Sequence, residues 1–570
     1  MANESTTSNR LGQIDSDYQL VIIGGGIYGA TLCWEAAHRG IKTLLVEQED
    51  YACGASSNSL KTIHGGLRSL QSLNLKAVLK GIRERSIFLR IAPNYVKPLP
   101  CILPTSTSLM KSKPVVGMGL LLYNILNQLY IFASNDDNKI PRSRLLSRSK
   151  FFSRAANINP EGITGGALWH DAQVINTERM VWQFIRSAIT RGATAINHAS
   201  AIKHEHDGTK DRHKVLIRDQ ISGDEKTITT AAVVDASAAW NFIKHCLPES
   251  QHDKNLTFVK SVNIIVKKNI FDTAVGANIK AKDNSSRLYF FSPWRDCTII
   301  GTWYLSENPY PEKSFSRDEA SACINEINAA FSQPLLNIDD ICNVHIGFLP
   351  AIKNQHGNTL TLDKNLISSY QLKDWSQQPG MQNMYSLRGT KYTLARHDAQ
   401  QVIDQLAKTM QWKVTASRSD QLPIYQAMSA TEKKHSLSAD IINQLLTNYG
   451  LETEGLLEHI RNNPQSAELI PGTQHHIAAE IHHAVTNEQA LTLSDLLKRR
   501  LAIGDRAPPD LMTAQYCAKV MQQLFSWSDD TVRKQISELY ASYPECLLQR
   551  NNVTANTDPF ALQPDNIKSA

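Results

Sequence analysis

The patterned part of the chain begins with a short apolar run, Leu20–Ile23, followed by a glycine-rich turn. Apolar positions then recur at helical spacing to about His38, where Gly40 ends the helix, and Thr43–Val46 is a second apolar run that closes on Glu47. Strand, helix, strand is the expected order. Between Phe258 and Gly347 the pattern changes to strand-like runs of apolar and aromatic residues, "LTFVKSVNIIVKK", "SRLYFFSPW" and "DCTIIGTWYL". Within that region "SFSRDEASACINEINAAF" predicts a helix, with Ser316 and Glu319 as a capping box and Ile324, Ile327 and Phe331 on one face. After "SRSDQLPIYQ" the spacing is helical to about residue 543. In "SDLLKRRLAIG", Ser494 or Asp495 offers an N-cap, and Lys498, Arg499 and Arg500 fall near the C-terminal end, where the helix dipole favours cations. The same basic trio offers a contact for a membrane or for the mouth of a substrate site.

One apolar run, Val115 to Ala133, is long enough to cross a bilayer. Asn124, Asn127 and Gln128 interrupt it, and a spanning helix avoids three central amides. It predicts a buried or membrane-surface helix, with Lys111 and Lys113 before it as an anchor.

Composition narrows the class. At 570 residues the chain holds about two to four domains. Its hydrophobic share of 42% and charged share of 20% are globular. The net charge of +6 suits anionic ligands or an anionic membrane surface and is too small to argue nucleic-acid binding. Nine scattered cysteines without a CxxC predict reduced thiols and a cytoplasmic location, not a zinc ribbon or a disulfide framework. The start, "MANESTTSNRLGQIDSDY", has no apolar core and reads as a disordered tail, as does the end after Pro544. His476, Glu480 and His483 share one helix face, but without HExxH they predict a polar packing helix and no metal.

The chemistry concentrates near the start. Gly24, Gly26 and Gly29 supply G-x-G-x-x-G between strand and helix. Gly24 makes the tight turn, Gly26 admits a pyrophosphate, and Gly29 lets the helix pack on the strand. The helix N-terminus presents unpaired N–H groups and partial positive charge to phosphate. Glu47, 18 residues past Gly29, is placed to accept ribose hydroxyls. The motif alone does not separate FAD from NAD. The serine-rich "SSNSLKTIHGGLRSL" that follows, in place of another helix-strand repeat, favours FAD.

Together "IGGGIYGA", "SSNSLKTIHGGLRSL", "RERSIFLRIAPNYVKPLP", "PWRDCTIIGT", "GTKYTLARHDA" and "EIHHAVTNEQALTLSDLLKRRLAIG" carry a resemblance. The chain resembles the FAD-dependent glycerol-3-phosphate dehydrogenases, within the wider D-amino-acid-oxidase-like flavoproteins. The resemblance implies an α/β FAD-binding domain of the glutathione-reductase-like Rossmann type, a β-rich substrate or cap domain, and a C-terminal α-helical domain. The implied boundaries are a tail at 1–16, an FAD-binding domain at 17–256 and 340–412, a cap at 257–339, a helical domain at 413–545 and a tail at 546–570. "AAVVDASAAW" is then a buried strand returning to the FAD domain, with Asp235–Ala238 where the family has Asn-Ala-Thr-Gly or a close variant.

The resemblance also implies site residues. Ser56, Ser57, Ser59 and Lys61 lie near the cofactor, and His64, Gly65 and Gly66 reach toward its isoalloxazine. Gly389, Lys391 and Thr393 return to the flavin, and Arg68 and Lys391 supply cations to substrate. His64, Arg68 and Lys391 are the implied catalytic set. Departures from the family pattern are Leu349 and Leu362 for two arginines, Ser69 for a tyrosine, Asn263 for a histidine and Tyr304 for an aspartate. Lys353 and Lys364 lie near the altered arginine positions. The implied activity is oxidation of a CH–OH group of a small polyol or polyol phosphate, with electrons passing to a quinone or another acceptor. A CH–NH oxidase and a flavin-binding protein without turnover are the alternatives. A homodimer and peripheral contact with the inner face of the cytoplasmic membrane complete the expectation.

Overall fold

The run Asp17–Ile23 becomes a strand because its apolar residues are buried on both sides, as a central parallel strand requires. It lies between two parallel neighbours, Thr43–Val46 and Glu225–Asp235. The sheet continues outward through Thr194–Ile196 on one side and Met384–Arg388 on the other, both parallel to their neighbours. Gln371–Asp374 and the hairpin Ala199–Asp207 with Arg212–Asp219 add antiparallel strands. The sheet is discontinuous in sequence, with strands from 17–235 and from 371–388. The computed structural model describes residues 9–134, 140–238, 242–247, 252–280, 286–308, 312–353, 362–424 and 437–548.

A second sheet draws on more of the chain than the expected cap at 257–339. It contains Leu256–Val266, Ala274–Lys280, Ser286–Trp294 and Cys297–Asn308, but also Ile341–Ile352. Beyond Ala274–Lys280 it continues through Val96–Ser106, Ile163–Val174 and Thr62–Ile63, with Arg144–Ser147 paired to Ile163–Val174. Strands from inside both halves of the expected FAD domain thus belong to the other sheet. Parallel pairing of Ala274–Lys280 with Val96–Ser106 and antiparallel pairing of Leu256–Val266 with Ile341–Ile352 joined segments whose separation along the chain hid their partnership. The helix between Arg317 and Asn328 forms as expected, with reciprocal bonds between Ser316 and Glu319.

The described residues within 14–312 and 321–424 form one compact unit, and those within 9–13, 313–320 and 437–548 the other. The second unit is helical, with Ile441, Leu445, Tyr449, Leu456, Leu457 and Ile460 at its core. Its basic trio is held internally. Arg500 is buried with its Nε donating to the Glu488 carbonyl, Arg499 pairs with Asp495 at 2.7 Å, and Lys498 donates to the Ser542 hydroxyl. The expected membrane or substrate contact of the trio is therefore corrected. Leu11 and Ile14, within the expected tail at 1–16, are buried, and Glu545–Leu548 is helical. The remaining tail residues, 1–8 and 549–570, lie outside the described residues, as do Trp240 and the Lys364 side chain.

The apolar run near 115 forms a 22-residue helix, Lys113–Ser134. Two of its amides face the protein. Asn124 exchanges bonds with the Ser143 main chain, and Asn127 accepts from Arg85 at 2.5 Å. Met118, Leu121, Ile125, Leu129 and Phe132 recur every three or four residues on the other face and are exposed.

Asp235 to Ala238 solves a backbone problem with other means. Asp235 Oδ1 accepts from the Ser237 N–H at 3.0 Å and its hydroxyl at 2.5 Å, and Oδ2 accepts from the Ile243 N–H at 3.1 Å. Ala238, in the position of the family's glycine, has φ of +52°. The left-handed turn is thus kept without the residue that adopts it freely. Ala238→Gly is expected to stabilise the protein by about 0.5–1 kcal/mol, the relief of strain less the added unfolded-state entropy, as read by a denaturation midpoint.

Candidate active site

The glycine turn has the geometry its sequence implies. Gly24 has φ of +107° and donates its N–H to the Val46 carbonyl. A Cβ there would lie 2.7 Å from the Ser237 backbone, and one on Gly29 would lie 1.7 Å from the Gly24 carbonyl oxygen. Gly26 is the N-cap of helix Ile27–His38, and the Ile27 N–H donates to Ser56 Oγ at 2.9 Å. The first glycine motif and the serine-rich loop therefore meet at one helix N-terminus. The Glu47 carboxylate accepts from the Gly25 N–H at 2.5 Å and the Glu49 N–H at 2.9 Å. Burial pushes it up to about 7.

The rest of the serine-rich loop is self-bonded. Ser57 Oγ donates to the Gly54 carbonyl, and Ser59 Oγ accepts from the Lys61 N–H. Lys61 departs from its expected cofactor contact. Its ammonium is buried, donating to Thr177 Oγ1 at 2.7 Å and pairing with Glu178 at 3.3 Å, beneath the Trp294 ring. It locks the loop to the start of helix Thr177–Ile189.

Beyond Lys61 the fold makes a pair that sequence reasoning missed. Thr62 and Ile63 pair antiparallel with Gln173 and Ala172. Continuing that register sets His64 beside Asp171, and His64 Nδ1 lies 3.1 Å from Asp171 Oδ2. The other Asp171 oxygen accepts from the Gly65 N–H at 2.9 Å. Burial opposes the Asp171 charge, but the His64 ring, the Gly65 N–H and the Arg85 guanidinium together hold the carboxyl below its ordinary value. Asp171 is an anion that fixes the His64 ring, whose side chain is 61% exposed. An aspartate at a buried position in the apolar run "ALWHDAQV" was the available signal.

The loop is braced from behind. Tyr123, on helix Lys113–Ser134, donates to the Gly65 carbonyl at 3.1 Å, and Arg85 donates to Tyr123 Oη at 2.7 Å. Gly66 has φ of +80°, which turns the chain into the short helix Leu67–Ser72. Helix Leu75–Ile91 approaches so closely that a Cβ on Gly81 would lie 2.9 Å from the Gly65 carbonyl carbon.

The late segment joins the same place. Thr393 Oγ1 accepts from the His64 N–H at 3.0 Å, and a Cβ on Gly389 would strike the Tyr28 ring. Lys391 is exposed, and partial burial and the nearby Lys80 charge lower its pKa. Asp398, a second residue missed from sequence, pairs with Lys80 at 3.0 Å and accepts from Tyr28 Oη. Arg68 is exposed and Ser69 half-buried.

The departures from the family pattern are not equivalent. Leu349 is half-buried on Ile341–Ile352 opposite Val259. Leu362 is 5% exposed in an apolar cluster with Val259 and Ala351, with Tyr304 packed against it. Asn263 is buried and accepts from Thr302 Oγ1 at 2.7 Å.

The residues present fit FAD. Gly24–Gly29 and Ser56 would hold its pyrophosphate, Glu47 its ribose, and the His64–Gly66 and Gly389–Thr393 segments would flank its ring.

Residues 19–367 match the family described as FAD dependent oxidoreductase, and residues 417–532 match the C-terminal domain of alpha-glycerophosphate oxidase. A glycerol-3-phosphate dehydrogenase of Synechocystis sp. is 28% identical over 556 residues, covering 93% of this chain and 96% of its own. An alpha-glycerophosphate oxidase of Enterococcus casseliflavus is 26% identical, covering 84% of this chain and 77% of its own. The structure of glycerol-3-phosphate dehydrogenase from Bacillus halodurans complexed with FAD is similar in fold, with a TM-score of 0.69 at 19% identity, covering 92% of this chain and 94% of that one. With the match spanning most of the chain and the dinucleotide cradle intact, this protein belongs to the family of FAD-dependent oxidoreductases.

Proposed function

We propose that this oxidoreductase oxidises a CH–OH group of a small polyol or polyol phosphate. The observation that carries the reading is the His64–Asp171 pair, set beside the segment that ends the cofactor cradle. FAD, when bound, supplies a hydride acceptor at N5. His64 is the general base: with its Nδ1 bonded to Asp171, its Nε2 is left to take the hydroxyl proton. Asp171 orients the ring and stabilises the charge it acquires. Arg68 and Lys391, both exposed, supply cations to an anionic substrate tail.

The names of the relatives favour glycerol phosphate. The leucines at 349 and 362 leave the phosphate contact to Arg68, Lys391 and Lys353, without the paired arginine clamp of the family. An uncharged polyol is therefore kept as a substrate beside its phosphate.

Anaerobic mixing of the purified holoprotein with glycerol, glycerol-3-phosphate and small amines tests the reading. Bleaching of the flavin absorbance by the polyol or its phosphate is the expected result. Bleaching by amines alone would move the protein to CH–NH chemistry, and no bleaching by any of them would favour binding without turnover.

The reading extends to a peripheral membrane site and a quinone acceptor. Helix Lys113–Ser134 is long and apolar enough to cross a membrane by length and composition, yet only 17% of its most apolar stretch is buried. Its inward amides and outward apolar face support a helix lying in the interface, flanked by exposed Leu109 and Met110. Cosedimentation with anionic phospholipid vesicles is expected for the native chain and lost in Leu121→Asp/Leu129→Asp. Equal recovery of both proteins in the supernatant would remove the membrane from the proposal.

A further inference from the structure

The helix face His476, Glu480 and His483 divides in the structure. His476 Nδ1 lies 3.2 Å from Glu480 Oε2. Glu480 also accepts from Tyr449 Oη at 3.0 Å, Gln444 at 3.2 Å and the Ile477 N–H at 2.9 Å, a closed polar network. His483 turns to different partners. Its Nε2 lies 3.4 Å from Glu452 Oε2 and 3.5 Å from Glu488 Oε1. The three donor atoms all lie within 4.8 Å of one another.

These residues come from separate places in the helical unit. Glu452 ends the turn Gly450–Glu452, His483 is on helix Ala478–Asn487, and Glu488 follows that helix. His483 is 7% exposed and Glu488 fully buried. Nε2 of this buried ring makes no hydrogen bond of ordinary geometry and stands at ion-pair distance from the two carboxylates. Its distances to the two carboxylates exceed those of N–H···O bonds. They match instead the spacing of ligands around one small cation. Two ligands each about 2.0–2.2 Å from a tetrahedral zinc stand roughly 3.3–3.5 Å apart. The other ring nitrogen, Nδ1, lies 3.0 Å from the Asn487 carboxamide. With the amide oxygen turned to the ring, Nδ1–H donates to it, the arrangement that holds a metal-bound imidazole in place.

We propose that Glu452, His483 and Glu488 form a site for a divalent cation of the zinc type, tying the Gly450–Glu452 turn to the end of helix Ala478–Asn487. Two carboxylates and a neutral imidazole balance a dication, and water completes the coordination. The role is structural, since all three ligands belong to the helical unit and none is among His64, Arg68 and Lys391. The competing account is an imidazolium shared between two carboxylates with no metal.

The test is zinc titration of the full-length, chelator-treated holoprotein against a chromophoric zinc indicator, with elemental analysis of the protein as purified. The expected result is a single equivalent more in the native chain than in His483→Gln or Glu488→Gln, and a zinc-dependent rise in unfolding temperature confined to the native chain. If those variants fail to fold, Glu452→Gln serves, because its carboxylate is partly exposed. Equal zinc uptake by native and variant proteins overturns the proposal. So does a nitrogen-15 spectrum showing His483 protonated at both ring nitrogens in excess zinc.

Discussion

Asp171→Asn is expected to slow flavin reduction by substrate by a factor approaching the roughly 10²–10⁴ that a positioned general base contributes, while FAD remains bound. The native carboxylate serves two donors at once, one oxygen facing His64 Nδ1 and the other the Gly65 N–H. A carboxamide has a single acceptor oxygen, so its NH₂ must face one of the two donors. If it faces the ring, Nδ1 becomes the acceptor and the proton moves to Nε2, the atom that must take the substrate's proton. If it faces the main chain, the Gly65 N–H is left unbonded and the loop shifts. Stopped-flow reduction separates the outcomes from a failure of binding, because flavin content and substrate dependence are read in the same experiment. His64→Gln is expected to lose a similar factor, and the double variant little more than either single, since the two residues act as one unit. A native reduction rate in His64→Gln would show that His64 is not the base.

The sequence made the cofactor end legible because its motif is local. Gly24, Gly26, Gly29 and Glu47 lie within one strand-helix-strand unit, and each glycine has a steric reason visible in the turn. Ser56 lies beyond that unit and meets it at the Ile27 N–H, whereas Lys61 is bonded elsewhere. An ammonium in a serine-rich loop suggests phosphate, yet its destination depends on Thr177 and Glu178, more than 100 residues away. Asp171 was hidden by the same distance, since a two-residue strand at Thr62–Ile63 has no pattern strong enough to declare its partner. The second sheet was misassigned between domains because strands show their alternation locally and their neighbours not at all. The leucines at 349 and 362 look equivalent in sequence. In the fold Leu362 belongs to a packed apolar cluster, so an arginine there would bring a guanidinium into that cluster, whereas Leu349 is only half-buried.

The largest expected effect on stability is at Glu84. Its carboxylate forms a bidentate pair with Arg396, Oε2 at 2.7 Å from Nε and Oε1 at 2.7 Å from Nη2, and both side chains are fully buried. Arg396 is further bonded to Ser419 Oγ at 2.7 Å and Gln400 at 3.1 Å. The pair joins helix Leu75–Ile91, which braces the Gly65–Gly66 turn through Gly81, to helix Ala395–Thr409, which follows the flavin-side segment. Glu84→Ala leaves a guanidinium in the interior without its bonded counter-ion, with only the non-bonded charges of Glu35 and Asp420 acting on it, and the expected loss is about 3–5 kcal/mol. That magnitude reflects the uncompensated charge, not the worth of the pair itself. Glu84→Met/Arg396→Met, which removes both charges at similar volume, is therefore expected to recover most of the loss. Denaturant unfolding followed by flavin release reports on this unit. A double variant no more stable than Glu84→Ala would show that the hydrogen bonds to Ser419 and Gln400, more than charge balance, hold the two helices together.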